Sequence, residues 1–209
     1  DALPIWGSFV QNQAWSVRCP GGGAPPPSSG PSVSLPAIES AALGGGVPNA
    51  ASREAVIARN ASKLAFTSDA SDLVAGDGNG RADIFVRNRA TGQTTRVSAA
   101  AEALNPGAGE SFSRPFLSAD GSRVVFVGSS GQAYFVPDGG VARRISASAA
   151  GAIANGASGK PMVAADGVKV VFESVATNLL TTVDGNGQRY GMTANSFAAV
   201  SLSPPTRSS

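Results

Sequence analysis

The side chains best suited to chemistry lie in one loop, around the sequence DGNG at residues 77–80. Asp77, Asn79 and Asp83 place oxygen atoms at relative positions 1, 3 and 7, the ligand type and spacing of loops that bind hard cations. The pattern predicts calcium as the cation, but Arg81 stands where a further oxygen ligand belongs and no distal Glu follows. The alternative is a set of Asx-type turns that only shapes the loop.

This loop belongs to a longer unit, residues 66–98, whose parts recur twice further along the chain. The second copy runs from Pro115 to Ser146, and the third starts at Pro161. Asp-Gly steps in these copies supply the positive φ angles of tight hairpin turns. The intervening runs RVVFV and KVVFE suit half-buried strands. A unit of short strands repeated at a near-fixed period predicts a β-propeller or a related array of sheets.

Aligning the copies assigns equivalent strands. Residues 84–86 (Ile-Phe-Val) and 134–136 (Tyr-Phe-Val) lie 50 positions apart and are predicted to be the same strand of successive units. The second copy lacks the DGNG loop. The third keeps this loop at residues 184–187 but has Tyr-Gly-Met at residues 190–192, where the D-I-F strand is expected. Repeats that keep their strands and vary one loop are typical of propellers and solenoids.

The pattern S-x-D-G-x-x-V-x-F followed by D-I-F-V-x-x-x-x-T-G-x-x-x-x-V-S resembles the TolB-type β-propeller repeats of bacterial envelope and secreted proteins. The resemblance covers residues 40–192 and is most specific in the first copy. It implies a propeller of about six blades, whereas this chain shows only three recognisable copies. Three interpretations follow: the chain ends supply a further blade, a partner covers an open array, or the chain is a fragment of a longer six-bladed protein.

We therefore predict an all-β fold, a β-propeller-like array of about three to four four-stranded blades that is open or incomplete. The predicted blades are residues 40–98, 99–146 and 147–192. The predicted flanking segments are an apolar arm or strand at residues 1–15, a Pro/Gly/Ser-rich linker at residues 16–39, and a C-terminal strand and tail at residues 193–209.

Composition agrees with a loop-rich β protein. The 209 residues include 26 glycines and 14 prolines, and the SAAAEAL sequence at residues 98–104 would form at most one helical turn, with an interblade loop favoured. The net charge of +2 is spread along the chain, so no nucleic-acid partner is predicted. The arginines on outer strands are interpreted as a solvated strand face. They are Arg87, Arg89, Arg96, Arg143 and Arg144.

Several features predict export. No apolar run reaches the ~20 residues that a membrane-spanning helix needs, so no transmembrane segment is expected. The chain starts with Asp1 rather than Met, as after removal of a leader, and the single Cys19 cannot form an internal disulfide. Together with the low lysine content and the resemblance, these features predict a bacterial protein of the periplasm, the cell surface or the extracellular space.

The sequence offers few residues that could act in catalysis. The sequence contains no histidine, which excludes a Ser-His-Asp triad, a Cys-His pair and a histidine metal site. Most aspartates fall in turns, where they normally bond their own backbone. We therefore predict that the protein is not an enzyme, and calcium is the one cofactor considered.

Trp6 and Phe9 lie in a short apolar segment tethered through the proline-rich linker. They are predicted to anchor the chain in a neighbouring protein, and the alternative is that this segment adds a strand to the last blade. The preferred function is a non-catalytic exported subunit that binds other protein chains or itself. The alternative is a small-ligand or glycan-binding propeller, for which Tyr134, Tyr190 and the two tryptophans offer few aromatic surfaces.

Overall fold

The computed structural model describes residues 15–16, 37–148, 151–179, 182–183, 189–190 and 196–201. Trp6, Phe9 and the second DGNG sequence lie outside the described residues. Two short strands come first, β1 (Trp15–Ser16) and β2 (Ala37–Ile38), and they pair antiparallel. The two ends of the predicted linker therefore lie side by side.

Most of the remaining strands form three antiparallel sheets that follow one another along the chain. Sheet one has the strand order β3-β4-β5-β6 and sheet two the order β7-β8-β9-β10, so each is a simple meander. The strands of sheet one are β3 (Ser52–Ile57), β4 (Lys63–Ser68), β5 (Asp83–Asn88) and β6 (Thr94–Arg96). The strands of sheet two are β7 (Phe112–Leu117), β8 (Arg123–Gly128), β9 (Ala133–Pro137) and β10 (Arg143–Arg144).

Sheet three has three strands and takes its third strand from further along the chain than predicted. Its strands are β11 (Ser158–Val163), β12 (Lys169–Ser174) and β15 (Ser196–Ser201). A separate hairpin lies between them in sequence, made of β13 (Thr182–Val183) and β14 (Arg189–Tyr190).

The prediction that residues 190–192 stand in place of the D-I-F strand is corrected by the pairing of β12. Ser174 lies opposite Ser196, just as Ser68 lies opposite Asp83 in sheet one. Ser196 therefore occupies the position of Asp83, and sheet three extends beyond the predicted boundary at residue 192. The run SFAAVS at residues 196–201 contains no glycine, whereas Gly191 would weaken a strand at residues 190–192.

A single helical turn, α1 (Ala99–Glu102), connects sheet one to sheet two. It forms within the SAAAEAL sequence, where an interblade loop was favoured. Ala101 is fully buried against the core between the two sheets, so packing fixes this short turn where propensity alone would not. No helix among the described residues is long and apolar enough to cross a bilayer.

The second strands of the sheets bury side chains on both faces. In β4, Phe66 and Ala65 belong to different apolar clusters, because successive side chains of a strand point to opposite faces. In β8, Phe126 and Val125 are divided in the same way. We call the face directed towards the preceding sheet the N-side face, and the opposite one the C-side face.

In the part of the chain that the structure describes, three apolar clusters separated by the sheets make up the core, so the sheets stack face to face. The cluster between sheets one and two includes Ala65, Ile84, Val124, Phe126 and Tyr134. The cluster between sheets two and three includes Val125, Phe135, Val163, Val170 and Phe172. The third cluster lies on the N-side face of sheet one and consists of Leu64, Phe66, Ala70, Leu73 and Phe85.

The first strand of each sheet carries a bulge at the same position. Glu54, Arg114 and Lys160 have φ values of 55°, 57° and 47°, and the pairing register shifts around each of them. Left-handed backbone is costly for residues with a Cβ, and Pro115 and Pro161 follow two of the three. At the first bulge the Glu54 carboxylate accepts hydrogen bonds from the Arg114 N–H at 2.6 Å and the Thr67 hydroxyl at 2.9 Å.

Replacing Arg114 by glycine is expected to stabilise the fold, because glycine adopts the left-handed conformation without the steric cost that other residues carry. The net gain should be about 0.5 kcal/mol, since glycine also loses more chain entropy on folding. Urea unfolding measures the change. Thr95→Gly, at an exposed position of β6, is the matched control and should lose about 1 kcal/mol. An equal loss in both variants would show that the bulge is not strained.

Candidate functional site

The residues predicted as a cation site converge on an arginine of the neighbouring strand. Arg96 on β6 places its Nη1 atom 3.1 Å from Asp83 Oδ2, 3.3 Å from Glu102 Oε1 and 3.5 Å from Asp77 Oδ1. The loop supplies Asp77, the start of β5 supplies Asp83, and α1 supplies Glu102. The guanidinium thus stands where the three carboxylates meet.

Asn79 contributes its amide nitrogen to this cluster. Its Nδ2 atom donates to Asp83 Oδ2 at 2.8 Å and to Glu102 Oε1 at 2.7 Å. Its Oδ1 atom accepts the Arg81 N–H at 2.9 Å, which is an Asx-type turn. The structure therefore brings Asp77, Asn79 and Asp83 together, with the oxygen of Asn79 committed to the backbone.

Calcium binding at this loop stays untested, and the contacts of Arg96 and Asn79 favour the alternative, in which Asx-type turns shape the loop without a metal. Among the residues that the structure describes, no group of three or more His, Cys, Asp or Glu side chains is arranged to hold a metal ion. The positive charge at the centre of the carboxylates is that of Arg96. Any cation that bound there would have to displace the guanidinium or lie beside it.

Asp77 is the member of the cluster whose carboxylate does not use its full hydrogen-bonding capacity. Its side chain is only 2% exposed, and its Oδ2 atom is buried without a hydrogen-bond partner. Burial raises the pKa of Asp77, and the nearby Asp83 carboxylate raises it further, against the opposing effect of Arg96. Burial alone would lower the pKa of Arg96, but the carboxylates raise it overall. Arg96 therefore remains charged and holds the acidic side chains in place.

Sheet two keeps part of this arrangement without the loop. In sheet one, the Ser98 hydroxyl donates to Asp83 Oδ1 and accepts the Ile84 N–H at 3.1 Å. In sheet two, the Ser146 hydroxyl donates to Gln132 Oε1 at 2.7 Å and accepts the Ala133 N–H at 2.9 Å. Gln132 therefore replaces Asp83, and we call this pair of bonds the serine clamp.

The serine clamp also corrects the predicted alignment of the copies. Strand pairing places Phe85 opposite Phe66 and Tyr134 opposite Phe126, so Phe85 corresponds to Tyr134 and the offset is one residue less than predicted. Arg144 then corresponds to Arg96. It lies over the Tyr134 ring, with its guanidinium carbon 5.8 Å from the ring centroid.

The outer-strand arginines of sheet one are largely paired rather than merely solvated. Glu39, whose side chain is 7% exposed, accepts Arg89 Nε at 2.9 Å and lies 3.3 Å from Arg87 Nε. This pairing fixes the end of the predicted linker against sheet one.

Sequence reasoning missed Arg96, Glu102 and Glu39 as members of sites. The available signal was the Arg-x-Ser spacing shared by residues 96–98 and 144–146.

Tyr134, considered as an aromatic surface for a ligand, is fully buried. Its hydroxyl donates to Glu110 Oε2 at 2.7 Å, and its ring packs against Phe112 and Phe126. Burial raises the pKa of Tyr134, and the hydrogen bond to Glu110 adds to this rise. Tyr134 is therefore a core residue that closes the cluster between sheets one and two.

At equivalent positions of the repeat, side chains at the two ends of the stack are more exposed than those in its interior. Ile57 is 51% exposed, although Leu117 and Val163, at the same place in β7 and β11, are 7% and 5% exposed. On the C-side face of sheet three, Met162 is 49% exposed. Val171 next to it is half-buried, whereas its counterparts in sheets one and two are fully buried. We call these two surfaces the N-end (around Ile57) and the C-end (around Met162).

Comparison with known proteins adds a distant likeness of structure. No protein-family model matches this sequence, and no curated protein is significantly similar to it. A solved structure from Agrobacterium tumefaciens, provisionally assigned as TolB, is 19% identical with a TM-score of 0.42 and covers 69% of this chain and 43% of its own. A prolyl endopeptidase structure is 10% identical with a TM-score of 0.37, over 68% of this chain and 22% of its own. The chain thus spans less than half of either protein.

Replacing Arg96 by methionine should lower the free energy of unfolding by about 3 kcal/mol, because Asp77 and Asp83 would be left buried without a compensating charge. Thermal or urea unfolding measures the loss. Arg143→Met, on the exposed face of β10, is the matched control and should change stability by less than about 0.5 kcal/mol. Similar small effects in both variants would mean that the cluster does not depend on Arg96.

Adding calcium to the wild-type chain should leave the melting temperature unchanged, because the guanidinium of Arg96 already supplies the positive charge that the carboxylates need. Thermal unfolding with and without millimolar calcium chloride measures this, with Asp77→Ala as the comparison. A calcium-dependent rise in the wild type that is lost in Asp77→Ala would establish calcium binding instead.

Proposed function

We propose that this chain is a non-catalytic structural or protein-interaction subunit, built on propeller-type sheets, that joins other protein chains through the ends of its sheet stack. The observation that carries the proposal is the exposure of Ile57, whose counterparts Leu117 and Val163 are buried. At the other end, Met162 is exposed and the adjacent Val171 is half-buried, whereas the counterparts of Val171 are fully buried. An isolated apolar residue on a surface needs no explanation. When a position that is buried in the other sheets is exposed in one sheet, the neighbouring sheet or partner that would cover it is missing.

The propeller interpretation is supported by the order of the strands. Meandering antiparallel sheets that follow one another in the chain and stack face to face are the blades of a propeller. Repeat architectures are stabilised by contacts between adjacent repeats, and a terminal repeat needs either a polar outer face or a partner. Both stack ends retain apolar residues, which favours a partner.

A non-catalytic role is supported by how the chain uses its acidic side chains. Asp120 accepts hydrogen bonds from Ser118 and Ser122, and these bonds lower its pKa. Asp166 accepts the Val168 N–H at 2.9 Å. Asp77 and Asp83 are held by Arg96. These groups shape turns and strand ends, and the sequence has no histidine to act as a general base.

The alternative, a small-ligand or glycan-binding propeller, has less support. A cavity of about 630 Å³ lies beside the charged cluster, between Asn79, Arg96, Glu102 and Glu110. Among the residues that the structure describes, no aromatic side chain lines it, although flat aromatic surfaces are what pockets for such ligands commonly supply. Tyr134 is buried in the core. We retain the protein-interaction role and, from the resemblance of the repeats, propose that it is carried out by an exported protein.

Light scattering on the purified chain tests this function. The wild type should have a mass above that of the 20.7 kDa monomer, because apolar stack ends favour association. Ile57→Asp and Met162→Asp should each return the mass to that of the monomer. Val141→Asp is the matched control, since Val141 is 77% exposed and belongs to neither stack end as defined above.

Two outcomes would contradict the proposal. One is a wild-type chain that remains a 20.7 kDa particle at all concentrations. The other is association that persists unchanged in both end variants, which would place the contact elsewhere on the surface.

A further inference from the structure

Sheets one and two place an arginine at the same point of their outer strand but surround it differently. Arg96 in β6 and Arg144 in β10 each stand two residues before the serine of the clamp, Ser98 and Ser146. The Arg96 Nη1 atom lies 3.1–3.5 Å from the carboxylates of three acidic side chains. Among the described residues, no acidic side chain lies within ion-pairing distance of Arg144.

The sequence of sheet two explains this difference. In sheet one the acidic side chains come from the connection before β5, from the start of β5 and from α1 after β6. The corresponding segments of sheet two, residues 129–131 and 147–157, contain no Asp or Glu. Gln132 takes the place of Asp83 in the serine clamp. The arginine of sheet two therefore keeps its positive charge without the carboxylates that offset it in sheet one.

Glu110 is an acidic residue that shares a neighbour with Arg144, and its carboxylate is used elsewhere. Its Oε2 atom accepts the Tyr134 hydroxyl at 2.7 Å. Its Oε1 atom accepts the Ser130 hydroxyl and, at 3.2 Å, the Ser130 N–H. Glu110 is buried and thus committed to Tyr134 and Ser130, and it forms no ion pair with Arg144.

The guanidinium of Arg144 also has a donor without an acceptor. The residue is half-buried, its guanidinium carbon lies over the Tyr134 ring, and its Nε atom is buried without a hydrogen-bond partner. A buried N–H that lacks an acceptor costs free energy. Basic residues on edge strands commonly prevent pairing with other strands. That role explains the exposed Arg143, but it does not explain a half-buried arginine with an unpaired donor.

We propose that Arg144 binds a carboxylate from an acidic segment of a partner protein, which takes the place that Asp83 and Glu102 occupy in sheet one. A carboxylate accepts two N–H groups of a guanidinium side by side, so a small rotation of this group would give Nε an acceptor. Arg143, exposed on the same strand, adds a second positive charge, which favours a segment with several acidic residues over a single small acid. Sheet two lies between sheets one and three, so this site is separate from both stack ends and goes beyond the proposed function.

Fluorescence anisotropy of a fluorescein-labelled hexaglutamate peptide, titrated with the full chain, tests the site. Arg144→Gln should weaken the affinity for the peptide at least about tenfold, because a charged pair of hydrogen bonds is lost. Arg144→Lys should recover only part of the affinity, because an ammonium group lacks the planar fork of a guanidinium. Arg143→Gln, on the same strand, is the matched control and should weaken the affinity less than about threefold.

Gln132→Glu tests the same site while leaving Arg144 in place. The new carboxylate would stand where Asp83 stands in sheet one, so it should pair with Arg144 and exclude the peptide. We expect the affinity for the peptide to fall about tenfold in this variant as well. Thermal unfolding of each variant checks that the loss of binding does not come from a loss of folded protein.

Three results would overturn the proposal. The first is a wild-type chain that does not bind the peptide. The second is an equal weakening by Arg143→Gln and Arg144→Gln, which indicates general attraction to a basic strand edge. The third is displacement of the peptide by sodium acetate at an equal concentration of carboxylate, which assigns the site to small acids. None of these results depends on the mass measured by light scattering, so this proposal and the proposed function fail separately.

Discussion

Sheets one and two bury apolar side chains on both of their faces, and the rest of the structure depends on that constraint. A strand such as β4 places Phe66 on one side and Ala65 on the other, so both faces of its sheet must be covered from water. Neighbouring sheets must supply the second surface, which turns the repeat into a stack. Stability is then largely a sum of the contacts between neighbouring sheets. At the N-end, Ala50 and residues 70–74 cover the face that a neighbouring sheet covers elsewhere.

Polar groups hold the strand ends that this stacking leaves open. The serine clamp recurs in sheets one and two with the same backbone partner, although Asp83 in one is replaced by Gln132 in the other. The carboxylate of Asp83 brings a buried charge, and Arg96 with Asn79 compensates for it. The neutral amide of Gln132 requires no such compensation. This explains why sheet two can omit the loop that carries Asp77 and Asn79.

The sequence predicted the repeat, the strands of sheets one and two except β3, and the meeting of Asp77, Asn79 and Asp83, because alternation and Asp-Gly turns are local signals. It predicted a strand within residues 193–209 but not that this strand completes sheet three, because the pairing closes over a long connection and no local sequence pattern indicates it. It placed Arg96 on a solvated face because burial by a neighbouring loop is a tertiary effect. The bulges at Glu54, Arg114 and Lys160 were also missed, although Pro115 and Pro161 marked two of them.

The short connection between β8 and β9 is a position where this fold could accept a longer loop. Sheet one shows that a long segment can be accommodated at this point of the repeat, where the clamp holds the start of the next strand. The entropy of closing a loop rises by only about 0.6 kcal/mol for each doubling of its length. Residues 129–131 of sheet two are therefore a natural place to graft a foreign peptide, and the route by which related arrays could acquire new recognition loops without rebuilding their core.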